Sequence, residues 1–288
     1  MRVLVTGASG MLGGDVAVAA QDLGHEVTAP DRASLDITEA SEVADFVREA
    51  NPDAVINCAA WTDVDGAEAH EAEATEINAL GAGNLSAAAE TVEASICQVS
   101  TDYVFDGEKD GPYVESDATS PIQAYGRSKL AGELAVVEKN AKHFVVRSSW
   151  LFGTRNDRPN FVETMLGIGS SADSVAVVTD QVGCPTYTGH LALGLVELID
   201  GTDYGVRHMA GSGSCTWFEF AQEIFRQAGM EVEVTPTTAE EFARPAPRPA
   251  NSTLASEGNT PVRLPDWKEG LGEYLRHRDD SRERESGR

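Results

Sequence analysis

The stretch Arg2-Val3-Leu4-Val5-Thr6-Gly7-Ala8-Ser9-Gly10-Met11-Leu12-Gly13 decides the fold. Its first residues read as a short buried strand. Three glycines follow at every third position, and Val16 to Leu23 then repeats apolar residues at helical spacing. Glycine permits a tight turn, close approach of a pyrophosphate and close packing of helix on sheet. The N–H groups that open the helix face such an anion. Gly24-His25 closes the helix, and Glu26 to Pro30 reads as a second strand. The unit is strand, turn, helix, strand, of the length a parallel crossover needs.

The alternation continues outward from that unit. Ser41 to Glu49 reads as a helix and Asp53 to Asn57 as a strand. Ala67 to Glu93 reads as one long Ala-rich helical stretch interrupted by Gly81 and Gly83, and Ser95 to Ser100 as a strand. A helix lies within Ser120 to Asn140, and a strand spans His143 to Arg147. This pattern predicts an α/β fold, a Rossmann-type doubly wound parallel sheet with a smaller C-terminal α/β substrate-binding domain. Residues 1–150 are assigned to the dinucleotide-binding domain, to which later segments return, and 151–275 mainly to the substrate-binding domain. In the second part Phe161 to Ile168, His190 to Asp200, Thr216 to Gln227 and Trp267 to Leu275 read as helices, and Ser174 to Val178 as a strand. Thr216 with Glu219 has the spacing of a capping box. Pro245, Pro247 and Pro249 impose an extended connector. Residues 276–288 are almost wholly charged and are expected to be a disordered tail.

Composition narrows the function classes. The chain has 288 residues, enough for a full core, and a net charge of −25 from 47 acidic and 22 basic residues. Such a surface does not bind nucleic acid through a basic face and is repelled by anionic membrane. The absence of any run of eighteen apolar residues predicts no membrane span. The N-terminus is too short and glycine-broken for a signal peptide, so a cytoplasmic protein is expected. Many carboxylates with few lysines suggest a halophilic, salt-adapted surface. Cys58, Cys97, Cys184 and Cys215 are scattered, and the six histidines show no ligand spacing, so no disulfide framework and no metal are assigned.

Only five lysines occur, and one of them, Lys129, follows Tyr125 by four residues in Tyr125-Gly126-Arg127-Ser128-Lys129. On a helix that spacing places both side chains on one face. An ammonium beside a phenol lowers its pKa from about 10, which would make Tyr125 a proton donor and acceptor near neutrality. The second strand ends at Asp31-Arg32: the acid suits the ribose hydroxyls of NAD, the arginine the 2′-phosphate of NADP, so both NADH and NADPH stay open. Asp36-Ile37 either lies under the adenine or caps the helix at Ser41. Thr101, at a strand's carboxyl end in Ser100-Thr101-Asp102-Tyr103-Val104-Phe105-Asp106-Gly107, offers a hydroxyl to a substrate carbonyl.

The glycine turn, the strand-end threonine and the Tyr-x-x-x-Lys pair, in that order, resemble the extended short-chain dehydrogenase/reductase family. Within it the chain is similar to the dTDP-4-dehydrorhamnose reductases. The segments Arg147-Ser148-Ser149-Trp150-Leu151-Phe152-Gly153, Asn160-Phe161, Asp180-Gln181-Val182-Gly183-Cys184-Pro185-Thr186 and Arg244-Pro245-Ala246-Pro247-Arg248-Pro249 carry that similarity. The resemblance implies NADPH- or NADH-dependent reduction of the C4 ketone of a small-molecule nucleotide-sugar. Thr101, Tyr125 and Lys129 would be catalytic, with Thr101 on the ketone oxygen and Lys129 on the cofactor ribose. Gly7, Gly10, Met11, Leu12, Gly13, Asp31, Arg32, Asp36, Ile37, Ala59, Ala60, Asn78, Tyr125 and Lys129 would hold the cofactor, Asn78 supporting Lys129 through water. Thr101, Asp102, Tyr103, Trp150, Asn160, Gln181 and Arg248 would face the substrate; a guanidinium at 248 suits a diphosphate, and pairing with a surface carboxylate is its alternative. Dehydratase relatives carry Thr-Asp-Glu where this chain has Thr101-Asp102-Tyr103, which argues against water loss. A 4-epimerase, a reductase of another deoxysugar and a noncatalytic NADP-binding regulatory subunit are the alternatives; regulatory relatives often lose a catalytic residue or its function, whereas Thr101, Tyr125 and Lys129 are all present here. Some relatives carry magnesium at a dimer contact, so the resemblance also admits a homodimer.

Overall fold

The structure, a computed structural model, describes residues 1–154, 160–257 and 262–286. Strands β1 (Arg2–Thr6), β2 (Glu26–Thr28), β3 (Ala54–Asn57), β4 (Ser95–Thr101) and β5 (His143–Ser148) alternate with helices α1 (Met11–Asp22), α2 (Ala40–Ala50), α3 (Val64–Ala67), α4 (Glu71–Thr75), α5 (Ala82–Thr91) and α6 (Ala124–Lys139). Then follow β6 (Leu151–Phe152), α7 (Phe161–Gly169), β7 (Ser174–Val178), β8 (Val182–Gly183), β9 (Thr186–Tyr187) and α8 (Thr188–Ile199). The chain ends with β10 (Gly205–His208), β11 (Cys215–Thr216), α9 (Trp217–Ala228), β12 (Glu233–Thr237) and α10 (Trp267–Ser286).

Six of these strands form one parallel sheet in the order β10-β5-β4-β3-β1-β2. The chain runs from β1 outward to β2, then returns to β3 on the other side of β1. That reversal opens a crevice at the carboxyl ends of β1 and β3, where ligands of doubly wound sheets bind. All seven residues of β4 are buried, as expected of a strand covered on both faces. On one face α1 and α8 pack together over Val5, Ile56 and Val146; on the other α2, α5 and α6 lie over Leu4, Val55 and Ile96. The segment 188–208 therefore belongs to the large sheet's layers, while Phe152, Met165, Phe220, Trp267 and Tyr274 form a separate aromatic-rich core beyond β5.

Two sequence readings change. The stretch from Ala67 to Glu93 is not one helix: α3 and α4 are followed by a π-helical turn, Glu76–Gly81, before α5. A Cβ at Gly132 of α6 would lie 2.1 Å from the Asn78 carbonyl oxygen, and one at Gly81 would lie 2.7 Å from Ile37. The widened turn is thus wedged between α6 and the Ile37 side chain, a place where a π-bulge re-aims a side chain. The expected disordered tail from residue 276 is also overturned, because α10 continues to Ser286. Arg and Glu are good helix formers. The helix is held at residues 277–278, where His277 Nδ1 lies 2.9 Å from the Tyr187 hydroxyl and Arg278 Nε donates to Glu163 at 2.6 Å. Residues 287–288 of that tail lie outside the described residues. Among the described residues no helix is long and apolar enough to cross a membrane.

Behind β4 lies a buried ion pair. Arg147 of β5 donates from Nη2 to Glu133 Oε2 at 2.7 Å, and Ser100 donates to Glu133 Oε1 at 2.5 Å. His208 completes the cluster, its ring held neutral by burial, with Nε2 3.5 Å from Arg147 Nη1. Removing one partner of a buried pair leaves an uncompensated charge, a loss of about 3–5 kcal/mol. Glu133→Gln is therefore expected to destabilise the fold by about that amount, read as the midpoint shift in urea denaturation.

Candidate active site

A cleft of about 750 Å³ runs along the carboxyl ends of the large sheet. The glycine turn forms its floor. Gly7 has φ +71°, and a Cβ there would lie 2.5 Å from the Ala59 backbone nitrogen. A Cβ at Gly13 would lie 2.2 Å from the Gly7 oxygen. Only glycine lets β1, α1 and the end of β3 approach this closely. Gly10 precedes α1 with no side-chain cap, and the positive end of the helix dipole faces the cleft. This cradle fits the pyrophosphate of a dinucleotide.

The strand ends beneath the cleft are tied by buried polar groups. Thr6 donates to Asn57 Oδ1 at 2.6 Å, and Asn57 Nδ2 donates to Gln98 Oε1 at 2.7 Å. Asn57 Oδ1 also accepts from Ala59 N at 3.1 Å, which fixes the backbone that Gly7 touches. These bonds lock β1, β3 and β4 in register at the point where they present their carboxyl ends.

Thr101, Tyr125 and Lys129 meet in the same cleft. Gln123 caps α6 by accepting from Gly126 N at 2.7 Å. A Cβ at Gly126 would lie 2.1 Å from the Tyr103 oxygen, so the start of α6 sits hard against the single 3-10 turn Asp102–Val104. That contact brings Tyr125 into the same cleft as Thr101. The expected electrostatics are corrected. Burial holds the phenol above its ordinary value, the Asp102 carboxylate pushes it the same way, and only Thr101 pulls it down. Lys129 does not act on it, because Nζ is turned to the Val99 carbonyl oxygen at 2.7 Å. The same burial, at 4% exposure, lowers the ammonium itself to about 8, opposed chiefly by Glu133. A phenol held high is a group that keeps its proton, and so an acid rather than a base at rest.

Asp102 is the other unusual group. Its side chain is 3% exposed; Oδ1 accepts from Thr101 Oγ1 at 3.0 Å, while Oδ2 has no partner. Burial raises its pKa to about 7.

The predicted residues divide into two sets. Gly7, Gly10, Met11, Leu12, Gly13, Asp31, Arg32, Asp36, Ile37, Ala59, Ala60, Tyr103 and Trp150 line the cleft with the residues above. Asp36 is not the helix cap: its Oδ1 accepts from Thr38 N and Oγ1, and α2 starts after Glu39. Asp31 turns its Oδ1 to Ser34, which leaves Arg32 as the cation beside it. Asn78, Asn160, Gln181 and Arg248 do not line the cleft. Asn78, in the π turn, donates to Ser128 Oγ at 2.8 Å and accepts from Trp61 N at 2.9 Å, so its amide braces α6 and the Trp61 loop. Asn160 caps α7, accepting from Glu163 N at 3.1 Å and donating to the Gly153 oxygen at 2.9 Å. Gln181 lies on the turn between β7 and β8. Arg248 pairs with Asp65, the carboxylate alternative, and its charge pulls the Tyr103 phenol down against burial.

Trp217, which also lines the cleft, was not anticipated. Trp217 stacks on Trp150 with ring centroids 3.5 Å apart, and Trp150 holds a left-handed φ of +49°. A Cβ at Gly183 would lie 2.3 Å from the Trp150 ring, so that glycine makes room for it. A strained backbone at a cleft wall is found where geometry matters more than stability. The available signal was a tryptophan opening a capped helix in a chain with only four.

Residues 1–279 match the profile of the RmlD substrate binding domain. A dTDP-4-dehydrorhamnose reductase of Mycolicibacterium smegmatis is 42% identical over 278 residues, 94% of this chain and 84% of that protein. Among solved structures, a dTDP-4-dehydrorhamnose reductase from Clostridium acetobutylicum is 44% identical, with a TM-score of 0.92, covering 96% of this chain and 99% of that one. One from Bacillus anthracis, in complex with NADP, is 40% identical with a TM-score of 0.91, over 96% and 99% of the two chains.

Gly13→Ala places a methyl group inside the contact distance of the Gly7 carbonyl. Overpacking of this kind costs about 1–3 kcal/mol, and here it also opens the turn. The expected result is a lowered thermal midpoint together with at least tenfold weaker NADPH binding by titration calorimetry.

Proposed function

The chain belongs to the RmlD substrate binding domain family, and on that premise we propose that it is a dTDP-4-dehydrorhamnose reductase. It reduces the C4 ketone of dTDP-4-dehydro-6-deoxy-L-mannose to give dTDP-L-rhamnose, a precursor for glycan synthesis, with NADPH. The observation that carries the reading is the meeting of the glycine cradle with Thr101, Tyr125 and Lys129 in one cleft.

NADPH, when bound, supplies the hydride that adds to the ketone carbon. The chain's own residues bind, orient and handle the proton. Gly7, Gly10 and Gly13 with the start of α1 hold the pyrophosphate, and Arg32 offers the charge a 2′-phosphate needs. Ala59 and Ala60 border the cofactor, and Lys129 is placed for its ribose. Thr101 donates to the ketone oxygen, and Tyr125, protonated at rest, delivers its proton as the alkoxide forms. Trp150, with Trp217 behind it, forms a wall against which the sugar ring packs. Arg248 reaches a diphosphate by exchanging its Asp65 partner, which is the residual role for an arginine beside Tyr103. A cytoplasmic location and salt adaptation extend the proposal, supported by the 47 acidic residues against 22 basic ones.

Tyr125→Phe is expected to lower kcat by about 10²-fold or more while NADPH still binds, in an assay that follows NADPH consumption with dTDP-4-dehydrorhamnose in molar salt. Near-normal turnover in that variant would remove Tyr125 from its role. Turnover without added nicotinamide would replace the reductase with an epimerase. Melting followed by circular dichroism is expected to fall on dialysis into dilute buffer, and an unchanged midpoint would end the salt-adaptation reading.

A further inference from the structure

The carboxyl ends of β1, β4 and β5, with the residue that follows β5, bring the hydroxyls of Thr6, Ser100, Thr101, Ser148 and Ser149 to the cleft. All but one donate within the protein. Thr6 donates to Asn57 at 2.6 Å, Ser100 to Glu133 at 2.5 Å, Thr101 to Asp102 at 3.0 Å and Ser149 to the Cys184 carbonyl oxygen at 2.7 Å. The Ser148 hydroxyl has no hydrogen-bond partner, although the residue is only 3% exposed. A buried hydroxyl without a partner is costly. The protein carries that cost at the end of β5, where the register partner is Thr101 of the reacting centre.

We propose that the Ser148 hydroxyl is the contact for the carboxamide of the nicotinamide: it donates to the carboxamide oxygen and so holds the ring beside Thr101 and Tyr125. The proposal rests on the reductase reading and on NADPH as its cofactor.

The order of the strands places the contact. The pyrophosphate cradle stands at β1, with β2 on one side and β3, β4 and β5 on the other. Asp31 and Arg32, beyond β2, mark the adenosine side of the cleft. The nicotinamide half therefore extends over β3 and β4 toward β5. Neighbouring strands lie about 4.8 Å apart, so β5 is about 14 Å from β1. The carboxamide is the part of the nicotinamide half that reaches farthest from the pyrophosphate. The ring carbon that carries the hydride is bonded to the carbon that bears the carboxamide. A carboxamide held at Ser148 thus sets the hydride next to Thr101, the neighbour of Ser148 across the sheet.

The chemistry of the hydroxyl selects the ligand atom. Its O–H lacks an acceptor, so the fitting group is an oxygen that accepts. The cradle serves the phosphates, and Thr101 with Tyr125 serves the ketone, which leaves the carboxamide oxygen on this side of the cleft. A serine hydroxyl moves between staggered χ1 positions, so Ser148 can turn to that oxygen without a shift of β5. Among the described residues Gln123 Nε2 and Asp102 Oδ2 are also buried without partners. Gln123 does not line the cleft, and Asp102 stands on the 3-10 turn beyond β4 and has no donor to offer as a carboxylate.

The test reads binding without turnover, by titration calorimetry of wild type and Ser148→Ala. The ligands are NADPH, thionicotinamide NADPH, in which sulfur replaces the carboxamide oxygen, and 2′-phospho-ADP-ribose, which lacks the nicotinamide. Ser148→Ala is expected to bind NADPH about three- to tenfold more weakly than wild type, the worth of one hydrogen bond. Sulfur is a weak acceptor, so the two proteins should bind the thio analogue alike, and likewise the fragment. The ligand-free thermal midpoint of Ser148→Ala should equal or exceed that of wild type, because no bond within the protein is lost. In turnover kcat should fall by a similar factor, with KM for the sugar nucleotide unchanged within about twofold. An equal loss for NADPH and the thio analogue, or a loss for the fragment, would overturn the proposal. So would a lowered ligand-free midpoint with NADPH affinity unchanged, or a rise in KM for the sugar nucleotide alone. Wild type that binds no NADPH is a different failure, that of the reductase reading itself.

Discussion

The function of the molecule is built on a close backbone approach between the glycine turn and the end of β3. Gly7, Gly13 and Ala59 come together without room for a single methyl group. That contact fixes α1 against the sheet and joins β1 to β3 where the strand order reverses. The crevice follows from it, and so does the presentation of the N-terminal end of α1 toward the crevice. The buried Thr6–Asn57–Gln98 bonds serve the same end from below, since a register shift of one residue would turn every strand-end side chain to the opposite face.

Much of this was legible in the chain. The glycine turn at residue 7 and the alternation of strands and helices depend on local chemistry, which a sequence displays. The Tyr125–Lys129 spacing likewise placed two side chains on one face of α6, and the structure puts both in the cleft. What spacing does not reveal is how far a group is from water. The pair was expected to make the phenol more acidic, yet burial and Asp102 hold it up while the ammonium turns to Val99. Periodicity reports direction around a helix; desolvation depends on elements far away in sequence.

The same distinction explains the residues that moved. Arg248 and Asp65 are separated by 183 positions, so their pairing has no local signature. Asn160 and Asn78 were expected at the ligand because asparagine occurs there in relatives. In this structure their amides finish a helix cap and a π turn, tasks set by the backbone groups each happens to meet. The tail from 276 onward was read from charge alone. Arg and Glu carry charge and helix propensity together, and anchoring by Tyr187 and Glu163 lets the second property prevail.

Burial gives the site its division of labour. Three polar side chains, Thr101, Asp102 and Tyr125, are packed where the 3-10 turn after β4 meets the start of α6. The only mobile element they share is hydrogen. Two acids in such a place cannot both be ionised, because each would sit in the other's field with little water to screen it. The packing that buries Asp102 is thus also what sets its charge against the phenol of Tyr125.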